Sequence, residues 1–243
     1  MLSVIIPLLN EEEIVTKTYT RLSEVLKDID HELIFIDDGS TDTTREILTK
    51  LIDDSSKNRI VSFSRNFGHQ AAFSAGLQEA KGAAVVIIDG DLQDPPELIH
   101  DLIAKWKEGY QVVYAQRRSR AGESLFKLIT AKAFYRILNT FTSVKIPVDT
   151  GDYRLMDRVV VDQLCLLPER SRFLRGLVPW VGYKQIGVKY DRAEREAGET
   201  KYPLRKMLNL ATDGITSFST LPLKFALYFG VFTCFVGFLA VVY

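Results

Sequence analysis

Cysteine is scarce: Cys165 and Cys234 are the two present in 243 residues. Far apart, they build neither a disulfide framework nor a thiolate zinc cluster. The three histidines, His31, His69 and His100, show no metal-ligand spacing. No charged stretch followed by an apolar one opens the chain, which enters a strand pattern at once and so does not read as a signal peptide. Repeats and low-complexity segments are missing. With 47% apolar and 26% charged residues, disorder, collagen and coiled coil are excluded as whole-chain readings. The length suits one sizeable α/β domain, alone or with an appendage. Net charge is also missing, with 31 basic and 31 acidic residues. That balance hides an asymmetry. Residues 1–112 carry 11 basic against 20 acidic side chains, and residues 113–243 carry 20 against 11. Either the charges are scattered over solvated faces, or a metal- or nucleotide-binding part adjoins one that faces phosphates or a membrane.

What is present begins with alternation. Short apolar runs at Ser3–Pro7, Glu32–Asp37, Arg59–Phe63, Ala84–Asp89 and Gln111–Ala115 read as strands. Helical patterns lie between them, one reaching about Lys27, one reaching about Leu51, then His69–Lys81 and a fourth from Pro95-Pro96 to about Lys107. Strands alternating with helices predict an α/β fold, a mostly parallel sheet with helices on both faces. Ligands of such sheets bind beyond the carboxyl ends of the strands. Asn10, Asp37, Asp38, Asp89 and Asp91 all fall there.

After Ala115 the pattern changes. Ser124–Phe141 and Pro203–Phe218 read as basic amphipathic helices, suited either to packing on the domain or to a bilayer interface. Phe225–Tyr243 is a 19-residue run without a charge. At 1.5 Å per residue it spans roughly 28 Å, close to the hydrocarbon thickness of a bilayer. Arg205, Lys206 and Lys224 precede it, so the positive-inside rule keeps the preceding part in the cytoplasm. The run has no polar flank after it, and we expect a cut span or a tail anchor. The expected division is 1–201 as a catalytic domain with an interface helix at 122–142, then 202–220 as a juxtamembrane helix and 221–243 as the membrane segment.

Asp89-Gly90-Asp91 is the sharpest chemical feature. A strand delivers two carboxylates one residue apart, with Gln93 and Asp94 next. Gly90 is expected to allow a tight turn and close approach of a ligand. Such a set suits Mg2+ or Mn2+, held by one or two carboxylates while phosphate oxygens fill other positions. A polar turn after a strand is the plainer reading of the same residues. Arg65, Gly68, His69 and Gln70 follow the third strand and either border the same pocket or start and pack a helix.

Pro7…Asn10-Glu11, Asp37-Asp38-Gly39-Ser40-Thr41-Asp42 and Asp89-Gly90-Asp91-Leu92-Gln93-Asp94-Pro95-Pro96-Glu97 together resemble family 2 glycosyltransferases of the GT-A fold. Asp149–Arg158, Arg172–Gly176 and Gly198–Lys206 narrow the resemblance to polyprenyl-phosphate glycosyltransferases. These include dolichyl-phosphate mannose synthases and, closest, bactoprenol glucosyltransferases of the GtrB type. That branch usually carries two spans, and this chain shows part of what looks like the first. The resemblance implies that Pro7, Asn10, Glu11, Asp37 and Asp38 line the donor nucleotide, with Asp89 and Gly90 beside its phosphates. It implies that Asp89, Asp91 and Gln93 hold the metal. Arg117, Lys127, Arg136, Lys201 and Arg205 are candidates for the acceptor phosphate, since cationic side chains suit phosphate oxygens. Asp152, in a Gly151-Asp152-Tyr153 turn, and Asp157 are the two candidates for an acid that orients the acceptor or acts as base.

The implied activity is inverting transfer of a hexose, with glucose favoured, from UDP-sugar to undecaprenyl or a similar polyprenyl phosphate. It would take place at the cytoplasmic face of the plasma (inner) membrane, without nucleic acid. Assembly into a homo-oligomer stays open, as do GDP-mannose as donor, nucleotidyl transfer and a catalytically inactive lipid-phosphate-binding scaffold.

Overall fold

The computed structural model describes residues 1–52, 57–118, 150–169, 172–191 and 221–243. Lys127, Arg136, Lys201 and Arg205, with both amphipathic helices, lie outside the described residues. The chain divides into two compact units, Met1–Glu123 with Pro147–Lys201, and Ser124–Ile146 with Tyr202–Tyr243.

The first unit is built on a seven-stranded sheet in the order β3-β2-β1-β4-β6-β5-β7. Its strands are β1 (Leu2–Leu8), β2 (His31–Asp37), β3 (Arg59–Ser62), β4 (Ala84–Ile87), β5 (Val112–Arg117), β6 (Thr150–Asp157) and β7 (Gln185–Tyr190). The helices are α1 (Val15–Val25), α2 (Thr44–Leu51), α3 (His69–Glu79), α4 (Leu98–Lys107), α5 (Arg158–Leu166) and α6 (Leu174–Trp180). β1 and β4 are buried along their whole length, as both faces of a parallel sheet must be. Val4, Ile6, Leu8 and Phe35 pack on one face with Leu22 of α1 and Leu102 of α4. On the other face α3 comes so close to β1 that a Cβ on Gly76 would stand 2.3 Å from Ile5 Cγ2. The expected α/β sheet, covered on both faces, is the observed one.

Pro7 sits in a central strand, an unusual place for a residue without an N–H. The β1–β4 ladder ends at Ile5↔Ile87, so Pro7 lies past its last pair.

Two strands were not expected. β7 extends the sheet parallel to β5. β6 runs between β4 and β5, antiparallel to both. Gly151-Asp152-Tyr153 is therefore strand, not turn. The reversal has a positional consequence: the start of β6 lies at the carboxyl ends of β4 and β5.

The second unit contains α7 (Leu221–Val242). From Leu223 to Val242 it is 20 residues long and apolar enough to cross a membrane. Phe225, Phe232 and Phe238 are exposed along it.

Candidate functional site

The carboxyl end of the sheet gathers most of the described candidates. Leu8 carries β1 to Asn10, whose backbone is left-handed at φ 54°. Asn10 Oδ1 accepts from the Thr41 backbone N–H at 2.8 Å, and the Asn10 N–H donates to Ser40 Oγ at 3.0 Å. The Glu11 N–H donates to Thr44 Oγ1 at 2.8 Å. The ends of β1 and β2 are thus laced together. Asp37 and Asp38 are both buried. Asp37 Oδ1 accepts from the Ser40 N–H at 2.9 Å. Asp38 takes the Phe67 N–H at 2.7 Å and the Gly68 N–H at 3.0 Å. Their first work is to build the loops that rim this end of the sheet.

β4 delivers Asp89, Gly90 and Asp91. Gly90 is needed for packing rather than for its backbone angles. A Cβ there would stand 2.3 Å from Leu8 Cδ2, while the left-handed residue of the turn is Leu92, at φ 55°. Thr18 Oγ1 donates to the Gly90 carbonyl at 2.8 Å, tying the turn to α1. Asp91 Oδ1 accepts from the Gln93 N–H at 3.1 Å, and Gln93 is half-buried.

The register Ile87↔Arg154, carried two residues further, sets Asp152 opposite Asp89. Between them stands His69, the first residue of α3. Its Nε2 is 3.2 Å from Asp89 Oδ1 and 3.9 Å from Asp152 Oδ2. Burial alone would lower the imidazole pKa, but the charges of Asp89 and Asp152 reverse this and raise it. Asp152 is buried and bridged by Arg175 of α6, with Nε to Oδ1 at 2.9 Å and Nη2 to Oδ2 at 2.7 Å. Burial pushes its pKa up, but the Arg175 charge and hydrogen bonds outweigh this and hold the carboxyl well below the usual range. Asp152 is therefore a fixed anion. Arg154, also buried, donates to the Asp152 and Gly151 carbonyls and supports the strand end.

Arg117 ends β5, and its Nη2 lies 3.4 Å from where a Cβ on Gly151 would be. Asp157 does not belong here. It pairs with Ala84, at the other end of β4, and its carboxylate is engaged there. Oδ1 caps α5 through the Val159 N–H at 3.0 Å, and Oδ2 accepts from Trp106 Nε1 at 2.6 Å. The antiparallel course of β6 separates the two acids that the sequence set five residues apart, and Asp157 is corrected to a structural cap. Gln70, from the segment that also supplies His69, accepts from the Leu174 N–H at 2.9 Å and so helps to seat α6.

Two functional-looking residues escaped the sequence reading. Arg175 lies in the Arg172–Gly176 segment, but its partner stands 23 residues earlier, a pairing only the fold makes. Tyr190 lay in a strand that was not recognised.

No group of three or more His, Cys, Asp or Glu side chains that could hold a metal ion is found among the described residues. The set still suits a partly ligated cation. Asp89 Oδ1 is buried, and its near neighbour, His69 Nε2 at 3.2 Å, does not meet it in good hydrogen-bond geometry. A cation at the Asp89 and Asp91 carboxylates would find two hard oxygen donors and leave room for phosphate oxygens.

The sequence model described as "Glycosyl transferase family 2" matches residues 3–165. The uncharacterized glycosyltransferase YkcC of Bacillus subtilis is 55% identical over 98% of this chain and 74% of its own length. The prophage bactoprenol glucosyl transferase homolog of Escherichia coli is 44% identical over 98% of this chain and 78% of its own length. Among solved structures, the chain is similar to glucosyl-3-phosphoglycerate synthase of Mycobacterium tuberculosis, crystallised with Mn2+, UDP-glucose and phosphoglyceric acid. The TM-score is 0.57 at 24% identity, over 88% of this chain and 77% of that one, and the likeness is one of GT-A fold. Matched over more than half its length, and with such relatives, the chain belongs to glycosyltransferase family 2, in its GtrB-type branch.

Proposed function

We propose that the chain transfers a hexose, with glucose favoured, from UDP-sugar to a polyprenyl phosphate at the cytoplasmic face of a membrane. The observation that carries this reading is the meeting of β4, β6 and β5 at one sheet end. There the carboxylates Asp89 and Asp91 share a rim with the Arg117 guanidinium, as a donor diphosphate and an acceptor phosphate require. The bactoprenol glucosyl transferase names of relatives 44% identical to the chain, and an α7 long enough to span a bilayer, support the lipid acceptor.

On this reading Pro7, Asn10, Glu11, Asp37 and Asp38 border the nucleotide, with Asp89 and Gly90 beside its phosphates. Asp89 and Asp91, with the Gln93 amide, would hold Mg2+ or Mn2+. When bound, such an ion stabilises charge developing on the leaving diphosphate. Arg117 holds the acceptor phosphate; Lys127, Arg136, Lys201 and Arg205 are further acceptor candidates on the sequence alone. The second pKa of a phosphate monoester is near 6, so the acceptor is largely dianionic at neutral pH. Its oxygen forms the bond to sugar C1 as the C1–diphosphate bond breaks, and UDP leaves with that electron pair. One in-line displacement inverts C1, so an α donor gives a β-linked lipid phosphate sugar. No proton has to be removed from such a nucleophile. Asp152, held ionised by Arg175, accordingly serves as a charged wall that orients the reactants rather than as a base.

The test is transfer of radiolabel into an organic-extractable lipid by purified chain with undecaprenyl phosphate, Mg2+ or Mn2+, and UDP-glucose or GDP-mannose. Label from UDP-glucose that disappears with a chelator is expected. Label from GDP-mannose alone would overturn the donor, and label that survives chelation would overturn the metal. Absence of label from either donor would count against the activity itself.

A further inference from the structure

The mechanism leaves one buried polar network beside the site unused. Tyr190, the last residue of β7, is paired in register with Arg117 and is buried. Its hydroxyl donates to Asp94, a buried carboxylate in the loop that follows Asp91. The same oxygen accepts from Arg117 Nε at 3.4 Å. A second tyrosine fastens this loop beside it, since Tyr153 Oη donates to the Pro95 carbonyl at 3.1 Å. A phenol has one hydrogen to give. Donation to Asp94 turns the remaining lone pairs of Tyr190 toward Arg117. Burial and the Asp94 charge raise the phenol pKa, so the group stays a donor throughout the neutral range.

We propose that Tyr190 is a positioning residue for Arg117: its hydroxyl screens the guanidinium from the Asp94 carboxylate and leaves the outer nitrogens of the arginine fork free for a phosphate monoester. This rests on the acceptor role proposed above for Arg117. Without the hydroxyl, Arg117 and Asp94 face each other as opposite charges, and direct pairing competes with the incoming anion. A hydrogen bond to a charged group that sets geometry at a second site justifies an expected effect of about ten-fold on anion affinity.

The experiment is calorimetric titration of the full chain in detergent with farnesyl phosphate, with farnesol as the uncharged control. Tyr190→Phe is expected to weaken farnesyl phosphate binding about ten-fold and leave farnesol unchanged. Arg117→Ala should weaken it further, and adding Tyr190→Phe to that variant should change nothing more. Tyr190→Phe with Asp94→Asn should recover most of the lost affinity, because the competing charge is gone; a purely structural role of Tyr190 would give no such rescue. Wild-type affinity in Tyr190→Phe, full additivity with Arg117→Ala, or no recovery with Asp94→Asn would each overturn the proposal. Wild-type affinity in Arg117→Ala would remove Arg117 from the acceptor site and the proposal with it. Because the titration needs no turnover, a chain that binds farnesyl phosphate but transfers no label would defeat the proposed reaction while the binding cycle still decides the role of Tyr190. In the transfer assay the same variant should raise the KM for undecaprenyl phosphate and spare that for UDP-glucose. An equal loss on both would make Tyr190 a staple of the Asp91–Pro95 loop and overturn its role at Arg117.

Discussion

Asp152 and Arg175 show how a single pair can set both chemistry and stability. Asp152 is 5% exposed, so its charge is tolerated chiefly because the guanidinium takes both oxygens. Removing one partner of such a pair strands the other, at a cost of about 3–5 kcal/mol. Arg175→Ala should therefore lower stability by about 3 kcal/mol, and Arg175→Ala with Asp152→Asn by clearly less, because no charge is left uncompensated. The pH dependence carries a sign. The folded-state pKa of Asp152 is depressed, so its stabilisation is fully present above the unfolded value of about 3.9 and is lost as pH falls below it. Urea midpoints measured from pH 5 down to 2.5 should fall more steeply for the wild type than for Asp152→Asn. Parallel curves would mean that the pair does not titrate with folding. None of this could be read along the chain. Asp152 looks like a turn residue because its partner, Arg175, stands 23 residues away and is supplied by the fold.

At the scale of elements, the legible parts were those whose signal is local. β1, β2 and β4 are apolar runs, and α1 and α4 are amphipathic, so both their existence and the acidic ends of the strands followed from pattern alone. β6 was missed because buried Asp152 and Arg154 break its apolar pattern. The direction of β6, which decides that Asp152 enters the site and Asp157 leaves it, is a property of the sheet. The loops are the other element-scale finding. Gly39 has φ +71°, and a Cβ there would lie 2.4 Å from the Arg65 carbonyl carbon, a backbone atom that cannot rotate away. Gly68 has φ +98°, yet a Cβ there meets nothing within 4 Å. Gly68, at φ 98° and ψ 156°, lies in a region kept almost entirely for glycine, so Gly68→Ala should suffer only backbone strain, about 1–3 kcal/mol. Gly39→Ala should lose more, about 2–5 kcal/mol, since overpacking against a backbone atom adds to the strain of its own positive φ. It should also weaken UDP-glucose binding, because the loop displaced is the one Asp38 holds. Thermal melts of the two variants decide this: equal losses would mean that the Arg65–Gly68 loop yields freely and does not shape the rim.

For the whole molecule the question is what α7 meets. Its 22 residues give a rod about 33 Å long, enough for the hydrocarbon layer. Phe225, Phe229, Phe232 and Phe238 are each at least 60% exposed on it, and Lys224 is its one charged residue. In water such a surface would be a strong drive to aggregate, whereas in lipid it is matched by its surroundings. The backbone polar groups are satisfied within the helix, which is the condition for crossing a bilayer. This ties the residue-level reading of Arg117 to the molecule, because a polyprenyl phosphate is available only at a membrane surface. Arginine near the middle of a span disfavours insertion by about 2.5–3.5 kcal/mol. Phe232→Arg together with Phe235→Arg should thus move a large share of the chain from the pellet to the supernatant after alkaline carbonate extraction. The paired variant should lose transfer to undecaprenyl phosphate in vesicles while its catalytic unit keeps its near-ultraviolet spectrum and still binds UDP-glucose. Retention in the pellet by both wild type and variant would show that something other than α7 holds the chain to the membrane. Release of both would show that α7 buries its apolar surface against protein, and the lipid acceptor would then need another route to Arg117.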